Sequence, residues 1–210
     1  MKCIDRFFET WRELHTSTPK VDPIWVLANL DSVYSRPERA YHNKNHIEKG
    51  LDDWVLVQQY LKNPKELEIA WYFHDAVYEI NAKDNEERSA DLAANILTQS
   101  GVCCNSIQIV KKFILATKHD KIPDDLDSKY LADIDLSIFG RTEEEYDEYK
   151  RNIRKEYSVF PEPEYEAGRV IVLKHFIERP SIYLTDFFRE KYEKKARENL
   201  GRELTGLICF

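Results

Sequence analysis

The stretch Trp71-Tyr72-Phe73-His74-Asp75-Ala76-Val77-Tyr78-Glu79 decides how this chain is read. It is the end of an apolar run, with Leu67, Ile69, Ala70, Trp71 and Phe73, and it closes on an adjacent histidine and aspartate. Apolar residues around most of a helix predict burial, so this helix carries His74 and Asp75 toward the interior. A carboxylate there is costly unless a cationic partner, a set of hydrogen-bond donors or a metal ion meets it. The dipeptide alone says little, since a second pair occurs at His119-Asp120. What sets the first pair apart is its company: Tyr41-His42-Asn43-Lys44-Asn45-His46 upstream and Asp133-Ile134-Asp135 downstream.

Outward from this stretch, helical periodicity dominates. Ile4, Phe7, Phe8, Trp11 and Leu14 recur at spacings of three and four and predict an amphipathic helix over residues 4–16. Asp22-Pro23 is an N-cap followed by proline at the first helical position; Ile24, Val26, Leu27 and Leu30 supply the buried face, and the helix ends before Pro37. A loop over 35–40 delivers Tyr41 and His42 to a third helix, which runs from near Asn43 to about Lys62. His42 and His46 are four apart and share one face if that helix starts early enough. Asn63-Pro64 then opens the helix that ends at His74-Asp75.

Downstream, Asp84 to Ala90 opens a helix whose first turn holds Glu86 and Glu87, where the macrodipole favours carboxylates. Glu86 therefore has two readings, a cap or an approach to His74-Asp75. This helix stops at Gly101, and another runs from about Asn105 to the polar end Thr117-Lys118-His119-Asp120. Residues 121–128 read as an acidic loop. Asp133 and Asp135 interrupt the apolar segment that follows, and a solvent-facing position fits Asp133 more easily than both. Thr142 and Glu145 form a capping box for a charged helix to about Tyr157; Pro161 to Pro163 is a break, and helices follow over 165–178 and 184–206.

The expected fold is therefore all-α, a single domain over residues 1–210 with its motifs in 41–135 and C-terminal helices in 142–206. Only 6 Gly and 8 Pro, with a charged fraction of 33%, fit short connections between helices. A net charge of −7 argues against a nucleic-acid polymer as partner. The 4 cysteines, Cys3, Cys103, Cys104 and Cys209, contain no C-x-x-C and are read as reduced thiols. Asp5 and the charges around it do not suit a signal peptide, and no apolar run approaches the roughly 20 residues that span a bilayer. A soluble, cytoplasmic chain with no membrane partner is expected; its oligomeric state is left open.

His46, His74, Asp75 and Asp135 give two imidazoles and two carboxylates in the order H…HD…D. That mixture suits Mn, Fe, Co, Ni or Zn, and holds Mg when water and phosphate complete an octahedron. The order resembles the HD superfamily of metal-dependent phosphohydrolases, and the pattern from Tyr41 through Gly140 is similar to a bacterial group of small HD phosphohydrolases. The resemblance implies an HD-type helical bundle with His46, His74, Asp75 and Asp135 as metal ligands, Asp133 being the alternative for the last. It also implies hydrolysis of a phosphoester or phosphoanhydride in a small nucleotide-like molecule, as a phosphomonoesterase, phosphodiesterase or pyrophosphohydrolase, with Asp75 indispensable. The Y-H-N-x-x-H run at Tyr41 to His46 is also similar to that of cyclic-nucleotide phosphodiesterases, which makes His42 the candidate general acid. Where those enzymes continue toward a further histidine, this chain has Ala76-Val77-Tyr78-Glu79. Lys118, Arg154 and Arg169 are the cations expected to steer an anionic substrate; His119 is expected to contact the phosphate or to serve a second metal, and Glu86 is the substrate-side acid that approaches His74-Asp75. The competing reading is a non-catalytic nucleotide-binding or signalling module on the same scaffold.

Overall fold

The computed structural model describes residues 3–15 and 17–208. Within them the chain is all helical, with ten α-helices, three short 3₁₀ turns and no strand. No helix among them is long and apolar enough to cross a membrane. The chain falls into two compact units, Met1–Ile134 and Asp135–Phe210. Their division lies inside a helix rather than in a polar linker, so composition marks no boundary there. The expectations for the side chains of Cys3 and Ile4, and for Cys209 and Phe210, lie outside the described residues; Cys103 and Cys104 are exposed free thiols.

The first unit is built around α4 (Pro64–Phe73), which packs against α1 (Cys3–Leu14), α3 (Lys44–Val57), α5 (Asn85–Ser100) and α6 (Cys104–Ala116). Leu67, Ile69, Ala70, Trp71 and Phe73 are fully buried, as the all-round apolar pattern predicts. Each such large side chain contributes about 1.5–3 kcal/mol of transfer free energy. Helix α2 (Pro23–Tyr34) begins as expected, with the Asp22 carboxylate accepting the Ile24 N–H at 2.8 Å and proline in the first turn. Val26 and Leu30 are buried, but Ile24 is 64% exposed and does not belong to the core face.

Two boundaries differ from expectation for local reasons. Helix α3 ends at Val57, with a 3₁₀ turn over Gln58–Tyr60, rather than continuing to Lys62. Asn63 precedes proline, which disfavours helical backbone, and the Asp127 carboxylate accepts the N–H groups of Lys62 and Asn63 at 3.0 and 2.8 Å. Helix α7 (Leu126–Asp135) starts inside the supposed acidic loop because Asp125 accepts the Ser128 N–H at 2.9 Å, the geometry of an N-cap.

The second unit holds a 3₁₀ turn over Leu136–Gly140 and helices α8 (Glu143–Glu156), α9 (Glu162–Ile177) and α10 (Asp186–Ile208). The Thr142–Glu145 capping box is present. Helix α9 takes in Pro163 because proline is tolerated in a first turn, where its missing N–H would have had no partner. Helix α10 holds the 3₁₀ turn: Asn199 Nδ2 donates to the carbonyls of Phe139 and Arg141 at 2.9 and 3.0 Å.

Candidate metal centre

His74 is the residue after the last turn of α4 and is still helical in backbone, with 1% of its surface exposed. Two contacts fix its ring. It stacks on the Trp71 indole, 4.2 Å between centroids and 15° between planes. Its Nδ1 lies 2.8 Å from the Trp71 carbonyl oxygen. A carbonyl only accepts, so Nδ1 carries the hydrogen and, in the neutral ring, Nε2 presents a lone pair. Trp71 is itself tied to the first turn of α3 by its indole N–H, which donates to the Ile47 carbonyl at 2.8 Å. The Trp71 ring occupies the space beside Gly50 so fully that a Cβ there would lie 1.9 Å from Trp71 Cζ2.

That first turn of α3 carries His46, 6% exposed. His46 Nε2 and His74 Nε2 are 3.1 Å apart, and Asp75 Oδ2 is 3.1 Å from His74 Nε2 and 3.7 Å from His46 Nε2. One ligand atom from each of the three residues thus lies within 4.8 Å of the others. Asp75 keeps 14% of its side chain exposed, which leaves the group reachable from solvent. Burial pushes the Asp75 carboxyl up, but His74, His42 and His46, when their rings are protonated, and a hydrogen bond from His74 hold it well below the usual carboxylate range. Lone pairs of two imidazoles and a carboxylate face one another at these distances only with a proton or a metal cation between them. Two nitrogens and one oxygen are the donor set that borderline divalent ions take, so the residues fit such an ion.

Around this trio, α3 starts at Lys44 behind an extended Asn43 N-cap, so His42 precedes the helix and the i, i+4 relation to His46 is not helical. The rings still lie 5.9 Å apart, and His42 is stacked on Tyr78 at 4.1 Å. Arg39, 5% exposed, donates to the carbonyls of Asp75 and Ala76 at 2.6 and 3.3 Å and to that of His42 at 3.4 Å. On the other side, Ser89 bonds both the N–H and the C=O of Val77, and Asn85 does the same for Glu79. The backbone leaving Asp75 is therefore fastened from two sides.

Glu86, in the first turn of α5, has its carboxyl pushed up by burial and further by the nearby Asp75 charge, against Lys118. Lys118 pairs with Glu87 and donates to the Lys83 carbonyl. His119 follows with φ +57°, left-handed backbone that is rare for a residue with a side chain. Asp133, for which a solvent-facing position and the role of alternative last ligand were both open, is fully buried, as are Leu131, Ala132 and Ile134 beside it on α7. Asp135 closes α7, is half-buried and is the first residue of the second unit.

Arg154 and Arg169 belong to the second unit, and both are committed to its own groups. Arg154 bonds Glu162 and the Tyr157 and Phe160 carbonyls. Arg169 is buried, bidentate to Glu203 at 2.8 and 3.0 Å and bonded to the Tyr149 hydroxyl at 3.0 Å. Sequence reasoning passed over Arg39, Ser89, Asn85 and Gly50. The polar residues at 85 and 89 on an otherwise apolar helix face were a signal for two of them; a loop arginine and a helix glycine gave none. No family model, curated protein or solved structure matches the chain.

Proposed function

We propose that this protein is a metal-dependent phosphohydrolase of the HD type, acting on a small nucleotide-like phosphoester or phosphoanhydride. The observation that carries the reading is the convergence of His46 Nε2, His74 Nε2 and Asp75 Oδ2, with the His74 tautomer fixed by the Trp71 carbonyl. A ligating histidine whose second nitrogen is held by a backbone carbonyl is what a metal site requires for orientation and basicity. Of the two acids that the H…HD…D order offers as a further carboxylate, Asp133 belongs to the same unit as the trio. A divalent ion bound there supplies a Lewis acid for a phosphoryl oxygen and lowers the pKa of a water toward neutrality.

The chain's own residues supply the rest. His42, held against Tyr78 and near His46, is the acid that protonates the leaving oxygen. Asp75 provides the negative charge that retains the cation and, being partly exposed, is reachable by substrate. Lys118 is the cation of this unit that meets the substrate's outer phosphate, released from Glu87 as the phosphate binds.

The test is elemental analysis of protein purified without chelator, paired with phosphate release from a nucleotide panel under added Mn, Co, Ni and Mg. About one equivalent of metal, with turnover abolished in Asp75→Asn, supports the reading. Metal and nucleotide binding without turnover gives the non-catalytic module instead, and absence of metal binding under every condition overturns the site.

A further inference from the structure

We infer that Arg39 is the positioning residue of this site, a guanidinium that sets its geometry by holding the main chain of the Asp75 turn to that of the His42 loop. The inference rests on the metal-site reading above. Arg39 lies in the loop between α2 and α3, yet it is buried among aromatic rings, its guanidinium 5.2 Å from the Tyr34 ring and 5.7 Å from that of Tyr78. Among the described residues no carboxylate pairs with it. Its partners are three carbonyl oxygens, those of Asp75 and Ala76 just beyond α4 and that of His42 just before α3.

A buried guanidinium without an anion is costly, and what offsets the cost here is the satisfaction of carbonyls that follow a helix end, where cations are also favoured. The consequence is geometric. The rigid planar fork reaches both segments at once, so the separation of Asp75 from His42 is fixed by one side chain. The loop bearing Arg39 is pinned in turn, with Asn43 Nδ2 donating to the carbonyls of Arg39 and Ala40 at 3.3 and 2.8 Å. His46 and His74 are set by their helices and by Trp71, whereas Asp75 stands on the turn itself. Arg39 is therefore what aims the carboxylate of the trio.

The test uses Co(II) alone as probe, titrated into the metal-free full chain and followed by its visible absorption, which reports the arrangement of ligands. The expected result is one equivalent bound by the wild type, and affinity lowered about 10-fold with altered band intensities in Arg39→Lys, whose circular dichroism and melting are those of a folded chain. In Arg39→Ala the loss is larger, and added methylguanidinium, but not methylammonium, restores the wild-type spectrum. Wild-type affinity and spectrum in both folded variants overturn the inference while leaving the metal site standing. Failure of both variants to fold also overturns it, since Arg39 is then a requirement of the fold. Absence of Co(II) binding by the wild type overturns the metal-site reading first, and this inference with it.

Discussion

His74 is held by Trp71 twice, through the face of its ring and through its Nδ1, which donates to the Trp71 carbonyl. The tryptophan three residues earlier is thus part of the site. Replacing it by phenylalanine removes the bond to the Ile47 carbonyl and part of the stacking surface. We expect Trp71→Phe to lose about 1–3 kcal/mol of stability, from the lost hydrogen bond and the cavity together, and about 10-fold in Co(II) affinity. Urea unfolding and Co(II) titration measure the two losses; unchanged affinity in a destabilised variant shows that the stack does not orient His74.

Removal of metal is expected to weaken the fold. An ion bound only by the native state at 100 times its dissociation constant stabilises by about 2.7 kcal/mol, which for a chain of this size is a shift of roughly 5–11 °C in Tm. Chelator should lower the wild-type melting temperature by that order and leave Asp75→Asn unmoved. Equal response of the two proteins to chelator excludes Asp75 as a ligand.

Glu68 gives a pH dependence at a distance from the ligand trio. It is buried, accepts from Thr10 Oγ1 at 2.7 Å and has Arg6 Nε 2.8 Å away. Burial raises its carboxyl above the ordinary value of 4.5, Thr10 and Arg6 opposing. For an acid with a raised native pKa, the contribution to stability is fully present below the unfolded pKa and is lost as pH rises through the native one. Glutamine mimics the protonated form. The stability of wild type relative to Glu68→Gln should therefore fall as pH rises from about 4.5 through the raised native value, and level off above it. Urea midpoints of both proteins between pH 4 and 8 show this, and a constant difference across that range contradicts it.

Arg169 and Glu203 form a buried bidentate pair, with Tyr146 donating to the same carboxylate and Tyr149 accepting from the same guanidinium. Removing one partner leaves an uncompensated charge. Arg169→Met is expected to cost about 3–5 kcal/mol, and the double variant Arg169→Met/Glu203→Leu to recover much of it. Additive losses in that cycle indicate that the charges are not coupled.

Gly50→Ala tests the close approach of α3 to the Trp71 ring. The added methyl would lie 1.9 Å from Cζ2 of the Trp71 ring, which is held by its stack on His74 and by its own hydrogen bond. A cost of about 1–3 kcal/mol is expected from overpacking, together with weaker Co(II) binding because the ring that moves is the one under His74. Wild-type stability in this variant shows that α3 and α4 separate readily at this point.

How much of this was legible in the sequence follows from the range over which each feature is determined. The helices were legible because they are set by local periodicity and by caps such as Asp22, Thr142 and Gly101, and burial of α4 followed from apolar residues on every side. The end of α3 was not, since the groups that stop it are met by Asp127, 64 residues away from Asn63. The trio was legible as an ordered set of residue types, but its support was not. Arg39 reads as one more loop cation, and only the fold brings it to carbonyls 36 and 37 residues away. The surroundings of charges were not legible either: Arg169 meets Glu203 in its own unit, and Asp133, for which a solvent-facing position and a ligand role were both open, is fully buried.

The contact between Gly50 and Trp71 also bears on how this chain can change over generations. A side chain at position 50 is admitted only if the ring at 71 shrinks or turns, and the ring at 71 cannot change without altering the bed on which His74 rests. The two positions are inherited as one. A lineage that keeps the histidine cluster should keep glycine opposite tryptophan, and one that has lost the cluster is free to fill position 50.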